Sequence, residues 1–127
     1  MYRVGNEKLT CRELVVPAAA GAVLKEATMA AINKDGYAVS ASAAEGLTVA
    51  GCVLELADNT SGGAGAVAAR IRRGTFVWNN DGSIKETDIL KDAYVKDAET
   101  VTITADGSSI AGKIVAVDED GVTVEMA

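Results

Sequence analysis

The apolar residues of this chain fall in short runs of Val, Ile, Thr and aromatics that often alternate with polar residues. A period of two predicts strands with one buried face. Four Asp-Gly dipeptides punctuate the runs, at Asp35-Gly36, Asp81-Gly82, Asp106-Gly107 and Asp120-Gly121. Asp hydrogen-bonds back to a tight turn, and Gly takes the positive φ that right-twisting hairpins demand. The pattern predicts an all-β fold: a string of hairpins in a small curled barrel or sandwich-like domain, with at most a short helical turn.

Residues 1–13 are polar and charged and read as an extended N-terminal arm, leaving 14–127 as a single β-rich domain. Glu13 to Ala18 gives a short strand ended by Pro17. Ala18 to Ile32 admits a helix on its alanines and on the shared face of Val23, Ala27, Ala30 and Ala31, whereas Gly21 and the Asn33-to-Gly36 turn favour two strands. Leu47 to Ala57 reads as a longer strand with a defect. Leu47 and Val49 share one face, and Cys52, Leu54 and Leu56 have the opposite parity, so the phase flips across Gly51. A second flip separates Val67, Ala69 and Ile71 from Phe76 and Trp78 across Arg73-Gly74, and such switches let a sheet curl. Asp58 to Gly65 reads as a flexible, Gly-rich connection. Thr87 is a candidate N-cap for a helical turn through Lys91. In the closing hairpin, Ile110 to Met126, a four-residue loop pairs Val115 and Val117 with Val124 and Val122. A three-residue loop instead sets Ile114 and Ala116 against Met126 and Val124, and a one-residue slip exchanges the faces.

Composition sharpens the picture of the core. Of 127 residues 49% are hydrophobic, but aromatics are only 4%, so small side chains fill much of the interior. Trp78 and Phe76 share a strand face and are the expected core anchors, because large rings contribute most per residue buried. A core of this kind makes self-association a natural way to bury more surface. The net charge of −6 is uneven: residues 1–78 hold eight basic and seven acidic groups, and residues 79–127 hold four and eleven. That balance argues against general nucleic-acid binding, which needs a clustered basic surface. Charges at Arg3, Glu7, Lys8, Arg12 and Glu13 break any signal-like segment, and the longest apolar run, Val15 to Leu24, is too short to span a bilayer. Cys11 and Cys52 lack Cys-x-x-Cys spacing; two cysteines permit a disulfide without arguing for one, and they read as buried or idle thiols.

The chain has no histidine. The usual general base, the commonest metal ligand and any Ser-His or Cys-His pair are therefore absent, and no catalytic, cofactor or metal site is expected. Asp118-Glu119-Asp120-Gly121 lacks the spaced ligands and distal Glu of a calcium loop and leads straight into an alternating strand. Gly62-Gly63-Ala64-Gly65 lacks the Lys-Ser/Thr of a phosphate loop. Arg70, Arg72 and Arg73 form the only basic cluster. It is a solvated face paired with the carboxylates of 79–127, or a contact to another subunit or an acidic partner, with contact to DNA the least favoured reading. Tyr2, Val4 and Leu9 could anchor the arm as an extended peptide on a neighbour's sheet edge, free in the isolated protein and ordered on binding.

Several blocks together resemble a family of phage capsid cement, or head decoration, proteins: Val16-Pro17-Ala18-Ala19-Ala20-Gly21-Ala22-Val23, Met29-Ala30-Ala31-Ile32-Asn33, Gly36-Tyr37-Ala38-Val39 and Leu47-Thr48-Val49-Ala50-Gly51. The likeness continues through Ala57-Asp58-Asn59-Thr60, Arg73-Gly74-Thr75-Phe76-Val77-Trp78-Asn79-Asn80, Ala93-Tyr94-Val95, Glu99-Thr100-Val101 and Ser109-Ile110-Ala111-Gly112-Lys113-Ile114-Val115, covering about residues 14–126. The resemblance implies a β-rich subunit on the outside of an icosahedral head, assembled in a bacterial cytoplasm. Its partners would be the major capsid protein and two further copies of itself in a trimer, with no nucleic acid, membrane or cofactor. It also favours strands over Ala18 to Ile32. A receptor- or glycan-binding fibre module is the alternative of the same fold class.

Overall fold

The structure, a computed structural model, describes residues 12–126. Its order is β1 (Glu13–Pro17), β2 (Val23–Leu24), β3 (Met29–Ile32), β4 (Ala38–Ser40), β5 (Thr48–Val53), β6 (Ala57–Asp58), β7 (Ala68–Arg72) and β8 (Thr75–Asn80). A short 3-10 turn (Glu86–Asp88) precedes β9 (Asp92–Asp97), β10 (Thr100–Thr102), β11 (Ile110–Asp118) and β12 (Gly121–Glu125). The fold is all-β. One antiparallel sheet has the order β1-β7-β5-β3-β4, and β2 pairs with β6 beside it. The second half closes into a five-stranded barrel, β10-β8-β12-β11-β9, with β8 and β10 parallel. Ala18 to Ile32 is thus strand and turn. The first sheet nearly closes as well, because Ala18 bridges Ala38 and the Ala19 N–H donates to the Ala38 carbonyl at 2.9 Å.

Each half has its own core, and β3 and β5 stand between them. Met29 and Ala31 face the barrel interior, with Trp78, Val95, Ile114, Val122 and Val124. Ala30 faces the other way, into a core of Leu24, Val53, Ile71 and several alanines. A strand covered on both faces has no polar register, which is why Met29-Ala30-Ala31-Ile32 runs apolar without alternation. Small side chains let the two sheets approach closely across it.

The two phase flips have different meanings. At Gly51 the β3–β5 register shifts, so Val49 and Cys52 both pack on the barrel side while Ala50 and Val53 pack on the other. A Cβ on Gly51 would lie 2.2 Å from the Arg72 carbonyl oxygen, so the backbones meet there without room for a side chain. At Arg73-Gly74 the chain leaves the first sheet and enters the barrel: Ala69 and Ile71 sit in one core and Trp78 in the other. Leu56, which shares the parity of Cys52, is 60% exposed, because β5 stops at Val53. Phe76 is half-buried rather than buried, its ring tilted 52° to that of Trp78 with centroids 6.1 Å apart.

Hairpins are fewer than the turn signals suggest. Asp35-Gly36 joins β3 to β4 and Asp120-Gly121 joins β11 to β12, both adjacent antiparallel pairs. Asp81-Gly82 and Asp106-Gly107 instead lie in connections between strands that do not pair with each other. The closing hairpin follows the four-residue-loop register at Val117–Val122, then slips at Val115 so that Ile114 meets Val124. A second slip falls between Ile110 and Gly112 opposite β9. With two bulges, the inward residues of β11 are Ala111, Ile114 and Val117, three apart instead of two. Bulges add twist, which a barrel of five strands needs to close.

The helical turn starts earlier than expected. Lys85, not Thr87, is the N-cap residue, and Asp88 reaches back to accept the Lys85 N–H at 2.8 Å. A Thr at 87 lies inside the turn and cannot cap it. The Gly-rich connection is pinned, not free. Asn59 is 2% exposed, and its Nδ2 donates to the carbonyls of Ala19 (2.9 Å) and Gly63 (3.0 Å). The Gly65 N–H donates to the Ala18 carbonyl at 2.9 Å. Asn59→Ala should remove both side-chain bonds and cost about 0.5–1.5 kcal/mol, since the Ala22 and Ala66 N–H groups still donate to those carbonyls. A urea midpoint within error of the parent chain would contradict that role.

Candidate docking surface

The first strand sits at an edge. Beyond the Ala18–Ala38 bridge, the outer side of β1 has no strand partner among the described residues. Unpaired edges invite another chain, and Glu13 and Pro17 are residues that limit indiscriminate pairing. Glu13, the last residue of the expected arm, is part of β1, and the Arg12 carbonyl accepts the Arg73 N–H at 2.8 Å. Tyr2, Val4, Leu9 and Cys11 lie outside the described residues.

Cross-strand partners share a face, so the pairs Glu13–Arg72 and Val15–Arg70 place all four side chains on the outer surface of β1 and β7. Val15 is 68% exposed there. Arg70 bonds Glu13 at 3.2 Å and reaches Glu55 at 3.8 Å. Its partners therefore come from the first half of the chain, not from 79–127, and at this exposure such pairs contribute about 0–1 kcal/mol. Arg72 has no ion-pair partner among the described residues. Arg73 turns away from the other two, so the three do not form one cluster. One residue beyond β7 the alternation ends, and its side chain lines a groove of about 570 Å³ between the two halves. Leu47–Val49, Tyr94, Ile110–Gly112, Glu125 and Met126 form the other walls. Arg72→Glu should weaken any association through this face without loss of fold; it sets a carboxylate opposite Glu13, and Arg70→Glu meets both Glu13 and Glu55. Unchanged association in both variants, measured by sedimentation, would return this face to ordinary solvated surface.

Two exposed apolar residues escaped the sequence reading. Ile89 (43%) and Leu90 (67%) protrude beside the 3-10 turn, with Leu90 held at φ 69°. Its N–H donates to the Ile114 carbonyl at 2.7 Å, which fixes a backbone region that a branched residue rarely occupies. Hydrophobic periodicity gives no signal for such a position.

The titratable groups here are structural. The Lys85 N–H and the Lys91 ammonium hold the Asp88 carboxyl below its ordinary range against some burial. Burial pushes Asp81 up, but the Ser83 and Thr102 hydroxyls, the Ser83 N–H and Lys96 together bring it below its ordinary value. A folded-state pKa below the unfolded one gives stability that is present above the ordinary Asp value of 3.8 and lost as pH falls through the folded value. Asp81→Asn should therefore destabilise the protein at neutral pH, with the difference shrinking below pH ~4. A difference independent of pH would assign the effect to shape alone. Cys52 is half-buried in β5, and burial pushes its thiol up, away from reactivity. Among the described residues no three acidic or thiol groups gather as a metal site, and no helix is long and apolar enough to cross a membrane. No protein-family model, curated protein or solved structure matches this chain.

Proposed function

We propose that this protein is a structural subunit of a phage or prophage head. It binds the outside of the capsid lattice as a cement or decoration subunit, in trimers, and stiffens the head. It works by binding, with the major capsid protein and its own copies as partners. The observation that carries the reading is the outer face of β1 and β7. An edge strand without a strand partner among the described residues displays Val15 beside an arginine that has no ion-pair partner there. Residues 1–11 lead directly into that strand. Added strands take affinity from main-chain hydrogen bonds and selectivity from alternate side chains, which suits a repeating protein surface. The family resemblance of the sequence supports the same reading, and the chain's lack of histidine fits a role without acid–base chemistry.

The test is co-sedimentation with expanded heads at equal protein concentration. The full chain should pellet with heads, and removal of residues 1–11 should sharply reduce pelleting while the thermal midpoint of the domain stays nearly unchanged. Arg12 is kept because its carbonyl bonds Arg73. Equal binding by the truncated chain would move attachment off the arm. No binding by either chain to any head would sink the proposal.

A further inference from the structure

The four Asp-Gly dipeptides offer the same reactive pair, a side-chain carboxyl next to an amide that no following side chain shields, yet the fold treats them differently. At Asp35 the Gly36 N–H donates to the Asn33 carbonyl at 3.0 Å. At Asp81 the Gly82 N–H donates to Asn80 Oδ1 at 2.8 Å, and the carboxylate accepts the Ser83 N–H at 3.0 Å. At Asp120 the glycine is already in a strand, with Gly121 paired to Asp118 in the β11–β12 ladder. Asp106 is placed otherwise. With Gly107 it forms the exposed corner of a turn that the Ser108 N–H closes on the Ala105 carbonyl at 3.2 Å. Such a turn leaves its middle peptide outside the closing bond. Neither the Asp106 carboxylate nor the Gly107 N–H has a hydrogen-bond partner among the described residues, and Gly107 has open space around it.

We infer that Asp106 is a site of spontaneous main-chain modification, converting through a cyclic imide to isoaspartate while the other three Asp-Gly pairs are protected by the fold. The inference does not rest on the function proposed above. The Gly107 nitrogen adds to Asp106 Cγ: a C–N bond forms, a carboxyl C–O bond breaks, and that oxygen leaves as water with the acid proton and the amide proton. Water then reopens the imide at either carbonyl carbon. One opening restores Asp-Gly, and the other leaves Gly107 joined through Cγ. Nothing is oxidised or reduced, and water is the only co-reactant. The isoaspartyl product lengthens the main chain by one carbon and frees an α-carboxylate. That group lies beside a cavity of about 270 Å³, which Asp106 lines with Asp81, Lys96, Thr102, Thr104 and Ser108. The change stays local. The Ser108 hydroxyl donates to the Val95 carbonyl and the Ser109 hydroxyl to the Ala44 carbonyl at 2.7 Å, so the chain is fastened directly after the turn.

The full chain is held folded in warm, near-neutral buffer made with heavy-oxygen water, then digested in ordinary water and mapped by mass spectrometry. Each passage through the imide writes one heavy oxygen into the aspartate. Asp106 should gain label about tenfold or more faster than Asp35, Asp81 or Asp120, because a protected amide reacts only from its locally open fraction. A methyltransferase specific for isoaspartyl carboxylates should modify the peptide carrying position 106 ahead of the others. In urea, where the four pairs lose their surroundings, the rates should converge. Asp106→Glu cannot close the same ring; it should remove the leading signal and leave the thermal midpoint in place. No label at Asp106, faster labelling at any of the other three, or the same preference in urea would each overturn the inference.

Discussion

Replacing Trp78 with alanine should remove about 3–5 kcal/mol of stability, the largest loss expected from any single truncation in the barrel. The ring is 6% exposed, stacks obliquely on Phe76, and directs its Nε1–H at the Met126 sulfur 3.2 Å away. Its neighbours cannot collapse into the space, because Val122 and Val124 on the adjacent strand are held by the β8–β12 ladder. A single domain has about 5–15 kcal/mol in all, so the variant should be near its unfolding threshold at room temperature. Phe76→Ala should cost less, since that ring is only half-buried. Urea unfolding of both variants measures this. A loss below about 1 kcal/mol for Trp78→Ala would show that the barrel does not depend on its one indole.

Gly51→Ala should be nearly as damaging for its size, at about 2–3 kcal/mol from a single added methyl. The new carbon would stand 2.2 Å from the Arg72 carbonyl oxygen and 3.2 Å from an Ile71 methyl. The first obstacle is backbone, which cannot rotate away as a side chain would. The methyl would push β5 and β7 apart where their ladder is only two pairs long. Gly63→Ala, with open space around its Cβ, is the matched control and should be near neutral. Equal midpoints for the two alanine variants would show that β7 can shift without cost.

Much of this architecture is legible in the residues, and the failures have physical reasons. The breaks at Gly51 and Arg73-Gly74 are visible because parity changes there in Val, Ile and aromatic residues. Parity alone does not say that two cores lie on opposite sides of one strand. That follows from contacts among alanines, whose small size gives periodicity little to report. In β11, the inward set Ala111, Ile114 and Val117 defeats a two-residue template, since each bulge is a main-chain event with no signature side chain. The basic run shows a similar limit. Arg70 and Arg72 follow the strand rule, but Arg73 stands where the strand ends, so only the path of the chain assigns it to the groove. Asn59 looked like loop composition, and its burial depends on the carbonyls of Ala19 and Gly63, one of them distant in sequence. The attachment residues Tyr2, Val4 and Leu9 remain a sequence-based expectation.

The strands that divide the two cores bind the fates of both halves together. β3 lends Met29 and Ala31 to one interior and Ala30 to the other, so neither half can melt without stripping a wall from its neighbour. Heating should therefore give one calorimetric transition, with van't Hoff and calorimetric enthalpies in agreement, despite the two separate interiors. Damage at Ile71, far from the barrel, should speed exchange at Val95 and Val122 as surely as damage nearby. In the head-stabilising role proposed above, such a joint would let load on either half be carried by the whole.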